Sequence, residues 1–297
     1  MNILMTGGTG FIGQHFIRRR LALGDKVYCL TRNVERVNAL FQNKVEGIRA
    51  LSELEGQCID AVINLAGEPI LDKRWSDDRK QLIYQSRVGL TTDLVEWIGR
   101  QSSKPRVLIS GSAIGYYGSH LAETLEENST YHAGFTHTLC ADWERAALNA
   151  TDLGVRVCVL RTGIVLGEGG ALAKMVLPFK LGLGGPIGDG QQWMSWIHID
   201  DEVNIIEMLM LQDQHEGAFN LTAPDAVTNR VFSKTLGAVL HRPTFLPMPS
   251  TLIKLILGEG ATLLVEGQKV TPAKVLATGY EFKYPELESA LMSILAD

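Results

Sequence analysis

The chain has few of the features that define disulfide-rich, membrane-spanning or nucleic-acid-binding proteins. Its 297 residues include only four cysteines, none in a C-x-x-C pair, so we expect reduced thiols in a reducing compartment. No apolar run reaches the length of a membrane span. The net charge is −5 and no basic patch stands out, so nucleic acid is not an expected partner. The first residues already predict a strand, which leaves no room for a signal peptide, and we expect a cytoplasmic protein.

The most informative segment is the glycine-rich string Thr6-Gly7-Gly8-Thr9-Gly10-Phe11-Ile12-Gly13, which follows a short apolar run and precedes a helical pattern. Gly7 suits a tight turn, Gly10 lets the backbone approach a diphosphate, and Gly13 lets the helix pack close to the strand. The free N–H groups at the helix start, around Phe11 and Ile12, favour an anion. In this strand–turn–helix context the string predicts a dinucleotide site.

Short apolar runs alternate with helical patterns along the first half of the chain. Strands are predicted at 2–5, 26–31, 45–49, 59–65, 106–110 and 155–161, with helices at 33–41, 77–100 and 135–152. This alternation predicts an α/β fold of the Rossmann type, a doubly wound parallel sheet with strand order 3-2-1-4-5-6. We expect a dinucleotide-binding domain over 1–225 and a small, mostly helical C-terminal domain over 245–297.

The amino-acid composition changes after the sixth predicted strand. Residues 168–195 are rich in glycine and predict a loop region over the carboxyl edge of the sheet, where residues 168–225 would contribute to the substrate side. A strand at Ser195–Ile199, a helix capped by Asp200 and a short strand at Ala218–Leu221 are predicted to follow.

The end of the second predicted strand indicates which dinucleotide is bound. An NAD site usually places an acid there, whereas an NADP site places a basic residue that pairs with the 2′-phosphate. Here the strand ends in Thr31 and Arg32, while Asp25 and Glu35 are poorly placed. A guanidinium pairs strongly with a phosphate dianion, so we predict NADPH, the alternative being a solvated surface arginine.

A second cofactor signal follows the fourth predicted strand. The small residues of Leu65-Ala66-Gly67 would let the backbone run beside the dinucleotide. Glu68 comes next and is either a functional carboxylate, a helix-capping acid or simply exposed. Ser110, at the end of the fifth strand, completes the predicted cofactor contacts.

Several of these segments resemble the extended short-chain dehydrogenase/reductase superfamily, in particular its NAD(P)-dependent epimerase/dehydratase family. The resemblance covers most of the first 225 residues and rests on four segments: Thr6–Gly13, Leu160–Gly167, Trp196–Asp201 and Gly217–Leu221. A closer resemblance is to a branch of epimerase-family proteins with an extra C-terminal domain, sometimes labelled SulA-like. The segments that resemble that branch are Asn64–Ile70, Arg74-Trp75, Ser86–Val88, Asp142–Glu144 and Gly190–Met194.

The resemblance implies a reaction that depends on a Ser, a Tyr and a Lys four positions after that Tyr. The Tyr exchanges a proton, the Lys lowers its pKa and holds the nicotinamide ribose, and the Ser orients the substrate oxygen. Ser112 matches the serine motif, but none of the seven tyrosines has the required Lys. Aligning by Glu144 places Thr136 at the Tyr position and Cys140 at the Lys position. The resemblance therefore predicts the cofactor better than the reaction.

Three other side chains are candidates for the proton donor. Tyr116 and Tyr117 follow Ser112 in the same loop, although a phenol with a pKa near 10 needs a nearby cation or the nicotinamide to act as a base at neutral pH. His137 lies one residue from the expected Tyr position and its imidazole titrates near neutral pH. The alternatives are that these residues pack the loop or face water, and that no such donor exists.

We expect an NADPH-dependent oxidoreductase or epimerase-like enzyme that acts on an unidentified small carbonyl or alcohol. The alternative is a regulator or scaffold that binds NADPH without turnover, which the missing Tyr–Lys pair favours. A sugar-nucleotide epimerase is a third possibility, although nothing marks a sugar pocket. Arg74, Lys80 and Arg87 either receive an anionic substrate or are solvated. The resemblance also implies a homodimer through the helices at 77–100 and 135–152.

Replacing Arg32 with alanine is expected to weaken NADPH binding much more than NADH binding, because only NADPH offers the 2′-phosphate. Fluorescence titration of both cofactors checks this expectation. Equal losses for the two cofactors would contradict the assignment of Arg32 to the phosphate.

Overall fold

The structure is a computed structural model that describes residues 1–120 and 122–295, so Ala296 and Asp297 of the predicted tail lie outside the described residues. The strands are β1 (Asn2–Thr6), β2 (Lys26–Leu30), β3 (Glu46–Ile48), β4 (Ala61–Asn64), β5 (Val107–Ala113), β6 (Thr124–Leu125), β7 (Arg156–Thr162), β8 (Ile164–Leu166), β9 (Trp193–Met194), β10 (Trp196–His198), β11 (Gly217–Leu221), β12 (Val227–Thr228) and β13 (Lys269–Val270). The helices are α1 (Phe11–Ala22), α2 (Val34–Phe41), α3 (Asp77–Tyr84), α4 (Leu90–Arg100), α5 (Phe135–Leu148), α6 (Gly170–Lys180), α7 (Ile199–Leu211), α8 (Asn229–Val239), α9 (Ser250–Leu257), α10 (Thr262–Val265), α11 (Ala273–Ala277) and α12 (Leu287–Leu295).

Seven parallel strands form the central sheet in the order β11-β7-β5-β4-β1-β2-β3. This confirms the predicted Rossmann-type order, to which β11 adds an edge strand beside β7. Helices α1 and α7 cover one face of the sheet, while α4 and α5 pack on the other. Strands β1 and β4 are almost wholly buried, which explains why their sequences are continuous apolar runs rather than alternating ones.

The predicted helix over 77–100 is interrupted. Helices α3 and α4 are joined by a π-helical turn at Gln85–Gly89, so the segment is helical throughout but is not one regular α-helix.

The cap of α7 also differs from the prediction, because His198, not Asp200, is its N-cap: the ring nitrogen Nδ1 accepts from the Asp200 N–H at 3.0 Å. In the part of the chain that the structure describes, no helix has the length and apolar character needed to cross a membrane.

The prediction of a loop over 168–195 is wrong for its first part, because α6 lies there. Leu172, Val176 and Phe179 are spaced along one face of α6 and are buried together with Trp196 and Phe232. Burial of this apolar face stabilises the helix even though Pro178 lies in its last turn. The glycines and prolines of the segment hid this helical spacing from the sequence analysis.

The C-terminal segment is attached to α7 by a buried carboxylate. Asp201 in α7 is fully buried and accepts three hydrogen bonds: from the Tyr280 hydroxyl (2.8 Å), the Lys283 N–H (2.8 Å) and the Tyr284 N–H (3.0 Å). Beyond these contacts, α11 packs on β11 and α12 packs on α8. The tail is therefore held against the rest of the molecule by polar as well as apolar contacts.

The neighbouring acids Asp200 and Asp201 give a matched test of this attachment. Asp201→Ala is expected to lower the free energy of unfolding by about 3 kcal/mol, because it leaves buried donors without an acceptor. Asp200→Ala removes only an exposed pair with Lys283 (2.7 Å) and should cost less than about 1 kcal/mol. Urea denaturation measures both values, and similar losses would contradict the role of Asp201.

Candidate functional site

The glycine string forms a sharp turn between β1 and α1. Gly7 has φ +71°, and a Cβ built on it would lie 2.5 Å from the carbonyl carbon of Leu65. A Cβ on Gly13 would collide with the Gly7 carbonyl oxygen. Only glycine fits either place, because the turn, the end of β4 and the first turn of α1 come into direct backbone contact. The structure thus brings Gly7 and Gly13 into the arrangement that the sequence predicts.

A cavity of about 350 Å³ opens over this turn. No side chain caps α1, and its first turn contains no acidic residue, so its N-terminal N–H groups are available to an anion. Phe11 also packs against the glycines at the start of α6, which form part of the opposite wall. The cavity is lined by Gly7, Gly10, Phe11, Ile12, Gly13, Leu65, Gly163, Ile164, Val165, Gly170 and Ala171.

The predicted 2′-phosphate residues lie at the end of β2. The Arg32 side chain is 92% exposed and makes one ion pair, with Glu68 at 3.1 Å. Glu68 also faces Arg79 at 3.5 Å, so its carboxylate lies between two guanidinium groups. The Thr31 hydroxyl accepts from the Asn33 N–H at 3.1 Å, which holds it in the turn before α2. Arg32 thus presents an accessible cation at the end of β2.

The segment after β4 continues the line of candidate cofactor contacts from the glycine turn. Leu65 and Ala66 lie against Gly7, and the Ala66 N–H donates to the Thr6 hydroxyl at 3.2 Å. Ser110 is different, because its side chain is fully buried and accepts from Asn64 Nδ2 at 3.2 Å. Ser110 therefore lies in a polar layer beneath the cleft, and the structure does not bring it to the cavity.

Ser112 lies near the end of β5 and is oriented by a buried ion pair. Its hydroxyl donates to Glu144 Oε1 at 2.7 Å, and Arg161 donates to both carboxylate oxygens of Glu144 at 2.9 Å. Burial alone lowers the pKa of the Arg161 guanidinium, but the hydrogen bonds and charge of Glu144 outweigh it and the net shift is upward. The guanidinium therefore stays charged, and the contacts that it makes with Glu144 fix the serine hydroxyl.

The two candidate tyrosines have different surroundings. Tyr117 is fully buried: its hydroxyl donates to Asn220 Oδ1 at 2.6 Å and accepts from Arg161 at 3.1 Å. Burial raises the pKa of Tyr117, which makes it a poorer proton donor. The Tyr116 ring is half-buried and stacks on the Arg161 guanidinium, 3.4 Å from Cζ to the ring centre. The geometry therefore favours Tyr116 over Tyr117.

His137 belongs to the same aromatic cluster as Tyr116. Its Nδ1 lies 2.6 Å from the Tyr116 carbonyl oxygen, a contact that makes Nδ1 the donor, and its ring stacks on Tyr131 at 3.6 Å. The imidazole is half-buried at the start of α5. His137 thus adjoins the loop after Ser112, as its position in the sequence suggests.

Thr136 and Cys140 occupy the positions of the missing Tyr and Lys on α5. A Cβ built on Gly115 would lie 3.3 Å from Thr136 Cβ and 3.7 Å from Cys140 Sγ, so both residues face the loop after β5. Burial raises the pKa of the Cys140 thiol to about 12, which keeps it neutral. The position that the resemblance assigns to a lysine therefore holds no charge.

Two polar side chains near the site have surroundings that no sequence motif indicates. Glu127 accepts from the backbone N–H groups of Asn220 (3.0 Å) and Lys274 (3.2 Å), and no motif marks it. Arg87 lies half-buried against Gly67, a placement that the sequence leaves open. The signal for Arg87 is its position four residues, about one helical turn, after the buried Ile83 and shortly before the mostly apolar buried face of α4.

The doubly wound sheet and the glycine turn at its carboxyl edge define a Rossmann-type α/β protein. The model of the NAD dependent epimerase/dehydratase family matches residues 3–222, and that of a domain of unknown function (DUF1731) matches residues 248–294. The chain is 41% identical to "Epimerase family protein SDR39U1 homolog, chloroplastic" of Arabidopsis thaliana, over 99% of this chain and 87% of that one. The chain therefore belongs to the NAD dependent epimerase/dehydratase family.

Two further relatives agree with this assignment. Epimerase family protein YfhF of Bacillus subtilis is 40% identical, over 100% of this chain and 99% of that one. The crystal structure of human epimerase family protein SDR39U1 (isoform 2) is 36% identical, with a TM-score of 0.89 over 99% of each chain. That human structure contains NADPH, the cofactor that the sequence predicts for this chain.

Thiol labelling tests the environment of Cys140. Cys58 is exposed, whereas burial raises the pKa of Cys29 and Cys158 to about 11 and that of Cys140 to about 12. At mildly alkaline pH we expect only Cys58 to react quickly with Ellman's reagent, the others reacting after unfolding. The variant Cys58→Ser should lose the fast phase. Fast labelling of Cys140 in that variant would show that the site is open.

Proposed function

We propose that the chain is an NADP(H)-dependent oxidoreductase that acts on a small carbonyl or alcohol. The main supporting observation is that three adjacent strands, β1, β4 and β5, have their carboxyl ends side by side at one edge of the sheet. Thr6 of β1 pairs with Asn64 of β4, which pairs with Ser110 of β5. The glycine turn, the Leu65–Gly67 segment and Ser112 therefore follow one another across the edge of the sheet. A dinucleotide with its diphosphate at the turn would extend toward Ser112.

The residues at this edge fit NADPH. The uncapped first turn of α1 offers N–H donors to the diphosphate, and Gly7 and Gly13 allow the direct backbone contacts that shape this turn. At the adenosine end, Arg32 presents an exposed guanidinium suited to a 2′-phosphate. The NADPH found with the human relative supports the same choice of cofactor.

When bound, the nicotinamide supplies or accepts the hydride. The Ser112 hydroxyl donates its hydrogen bond to the Glu144 carboxylate, which leaves the lone pairs of its oxygen free to accept a hydrogen bond from a substrate hydroxyl. Arg161 prevents Glu144 from turning away by binding both of its oxygens. Tyr116 and His137 are the groups best placed to exchange the substrate proton, because both are partly exposed beside this loop.

A regulator that binds NADPH without turnover is the second candidate. It is favoured by Thr136 and Cys140, which put a neutral hydroxyl and a neutral thiol where the resemblance implies a Tyr and a Lys. A cytoplasmic location, a homodimer through α3, α4 and α5, and the absence of a nucleic-acid partner also belong to the proposal. Light scattering of the purified protein tests the dimer.

Oxidation of NADPH, followed by absorbance across a panel of aldehydes, ketones and keto acids, distinguishes the two candidates. With a turned-over substrate, Ser112→Ala is expected to lower kcat about a hundredfold while NADPH affinity changes less than about twofold. Ser103→Ala, at an exposed turn, is the matched control and should behave as wild type. Tight NADPH binding with no turnover across the panel favours the regulator. Unchanged kcat in Ser112→Ala would contradict the role of the serine.

A further inference from the structure

Arg87 is a half-buried cation that makes no ion pair with any residue in 1–120 or 122–295. The other basic groups nearby are already paired: Arg79 with Glu68 at 3.5 Å and Lys80 with Glu259 at 2.6 Å. Burial lowers the pKa of Arg87, yet a guanidinium stays charged at neutral pH. A desolvated charge without a counter-charge is unfavourable, so this position calls for an anion.

The hydrogen bonds of Arg87 leave one edge of the guanidinium unused. Nη1 donates to the Ile83 carbonyl (3.3 Å) and to the Ser86 hydroxyl (3.4 Å), and Nη2 donates once, to the Glu68 carbonyl (3.0 Å). An arginine has five N–H donors, so Nε–H and the second Nη2–H have no acceptor within the described residues. Two donors from adjacent nitrogens match the two oxygens of a carboxylate or a phosphate.

This edge lies beside the candidate cofactor segment. A Cβ built on Gly67 would lie 2.8 Å from Arg87 Cζ, 2.9 Å from Nη2 and 3.1 Å from Nε. Because Cζ is the nearest of these atoms, the Cβ would lie over the face of the guanidinium, so only a glycine lets the backbone at position 67 pack on that face. On its other side the guanidinium lies 5.4 Å from the centre of the Trp143 ring, which holds it in place.

The same edge is close to the candidate reaction site. Trp143 packs on Gly111 of β5, next to Ser112, and the charge of Arg87 acts on the Cys140 thiol, which contacts the Ser112 hydroxyl. Arg87 thus lies between the carboxyl ends of β4 and β5, near the serine that would orient the reacting oxygen. It places a positive charge in a region where the lysine position of α5 has none.

We propose that Arg87 binds an oxyanion of the ligand that occupies this cleft, through its Nε–Nη2 edge. The oxyanion is either the carboxylate of the substrate or the diphosphate of the cofactor. A carboxylate would define the substrate class as keto acids or hydroxy acids. The inference rests on the proposed function, because that function puts a dinucleotide and a small oxygenated substrate at this edge of the sheet.

The test compares wild type with Arg87→Gln and Arg87→Lys. Arg79→Gln is the matched control, because Arg79 donates to the Pro69 carbonyl and contacts the same segment but is already paired with Glu68. Calorimetry measures the binding of acetate, oxalate and pyruvate, with acetamide and acetone as neutral counterparts, to apoprotein and to NADP⁺-saturated protein. A second arm compares 2′-phospho-ADP-ribose with adenosine 2′-phosphate, which lacks the diphosphate. Melting temperatures establish that each variant is folded.

If the oxyanion is a substrate carboxylate, Arg87→Gln should weaken the binding of at least one carboxylate by about tenfold or more. The binding of the neutral compounds and of 2′-phospho-ADP-ribose should be unaffected. If the oxyanion is the cofactor diphosphate, the variant should lose affinity to the same extent for 2′-phospho-ADP-ribose and not at all for adenosine 2′-phosphate. In either case Arg87→Lys should retain part of the affinity and Arg79→Gln most of it.

The proposal is overturned if Arg87→Gln binds every ligand as wild type does, or if Arg79→Gln reproduces its losses. It is equally overturned if wild type binds no carboxylate and Arg87→Gln leaves the diphosphate compound unchanged. Failure of wild type to bind any dinucleotide would instead contradict the proposed function, and the apoprotein arm with the carboxylates would still decide the role of Arg87.

Discussion

The ion pair between Arg161 and Glu144 is the contact on which the arrangement of the candidate site depends. Removing two charges from water costs several kcal/mol per ion, so each polar atom of the pair needs a partner. Besides Glu144, the Arg161 guanidinium therefore donates to the Glu127 carbonyl at 2.8 Å and to the Tyr117 hydroxyl at 3.1 Å. These bonds determine the path of the loop after β5. The orientation of the Ser112 hydroxyl is therefore set by the ion pair between Arg161 and Glu144.

Much of the fold could be predicted from the sequence because it depends on local patterns. The strands of the sheet are short apolar runs, and Asn33 caps α2 by accepting from the Arg36 N–H at 2.8 Å, as its position suggests. Helix α6 and the cap of α7 could not be predicted in the same way. The first depends on apolar partners in β10 and α8, and the second on the orientation of the His198 ring.

The residues of the candidate site also fall into two groups, those that a local sequence motif identifies and those whose surroundings depend on distant parts of the chain. The glycine turn and Ser112 belong to motifs whose residues are adjacent in the chain, so the sequence identifies them. Whether Arg87 is solvated or buried depends instead on Gly67 and Trp143, which lie 20 and 56 positions away. The same is true of Tyr117, whose buried hydroxyl meets Asn220 across 103 positions. A sequence pattern gives the residue type in such cases but not its surroundings.

The C-terminal segment also closes the loop that bears Tyr116 and Tyr117. Gln268 donates to the Gly118 carbonyl at 2.7 Å across 150 positions, accepts from the Ser195 hydroxyl at 2.8 Å, and precedes β13, which pairs with β6. On the ribosome, the parallel sheet and its phosphate turn can assemble as soon as the strands have emerged. The loop after β5 needs residues that are translated much later, so a prematurely terminated chain would have a complete parallel sheet and glycine turn but would lack the contacts that close this loop.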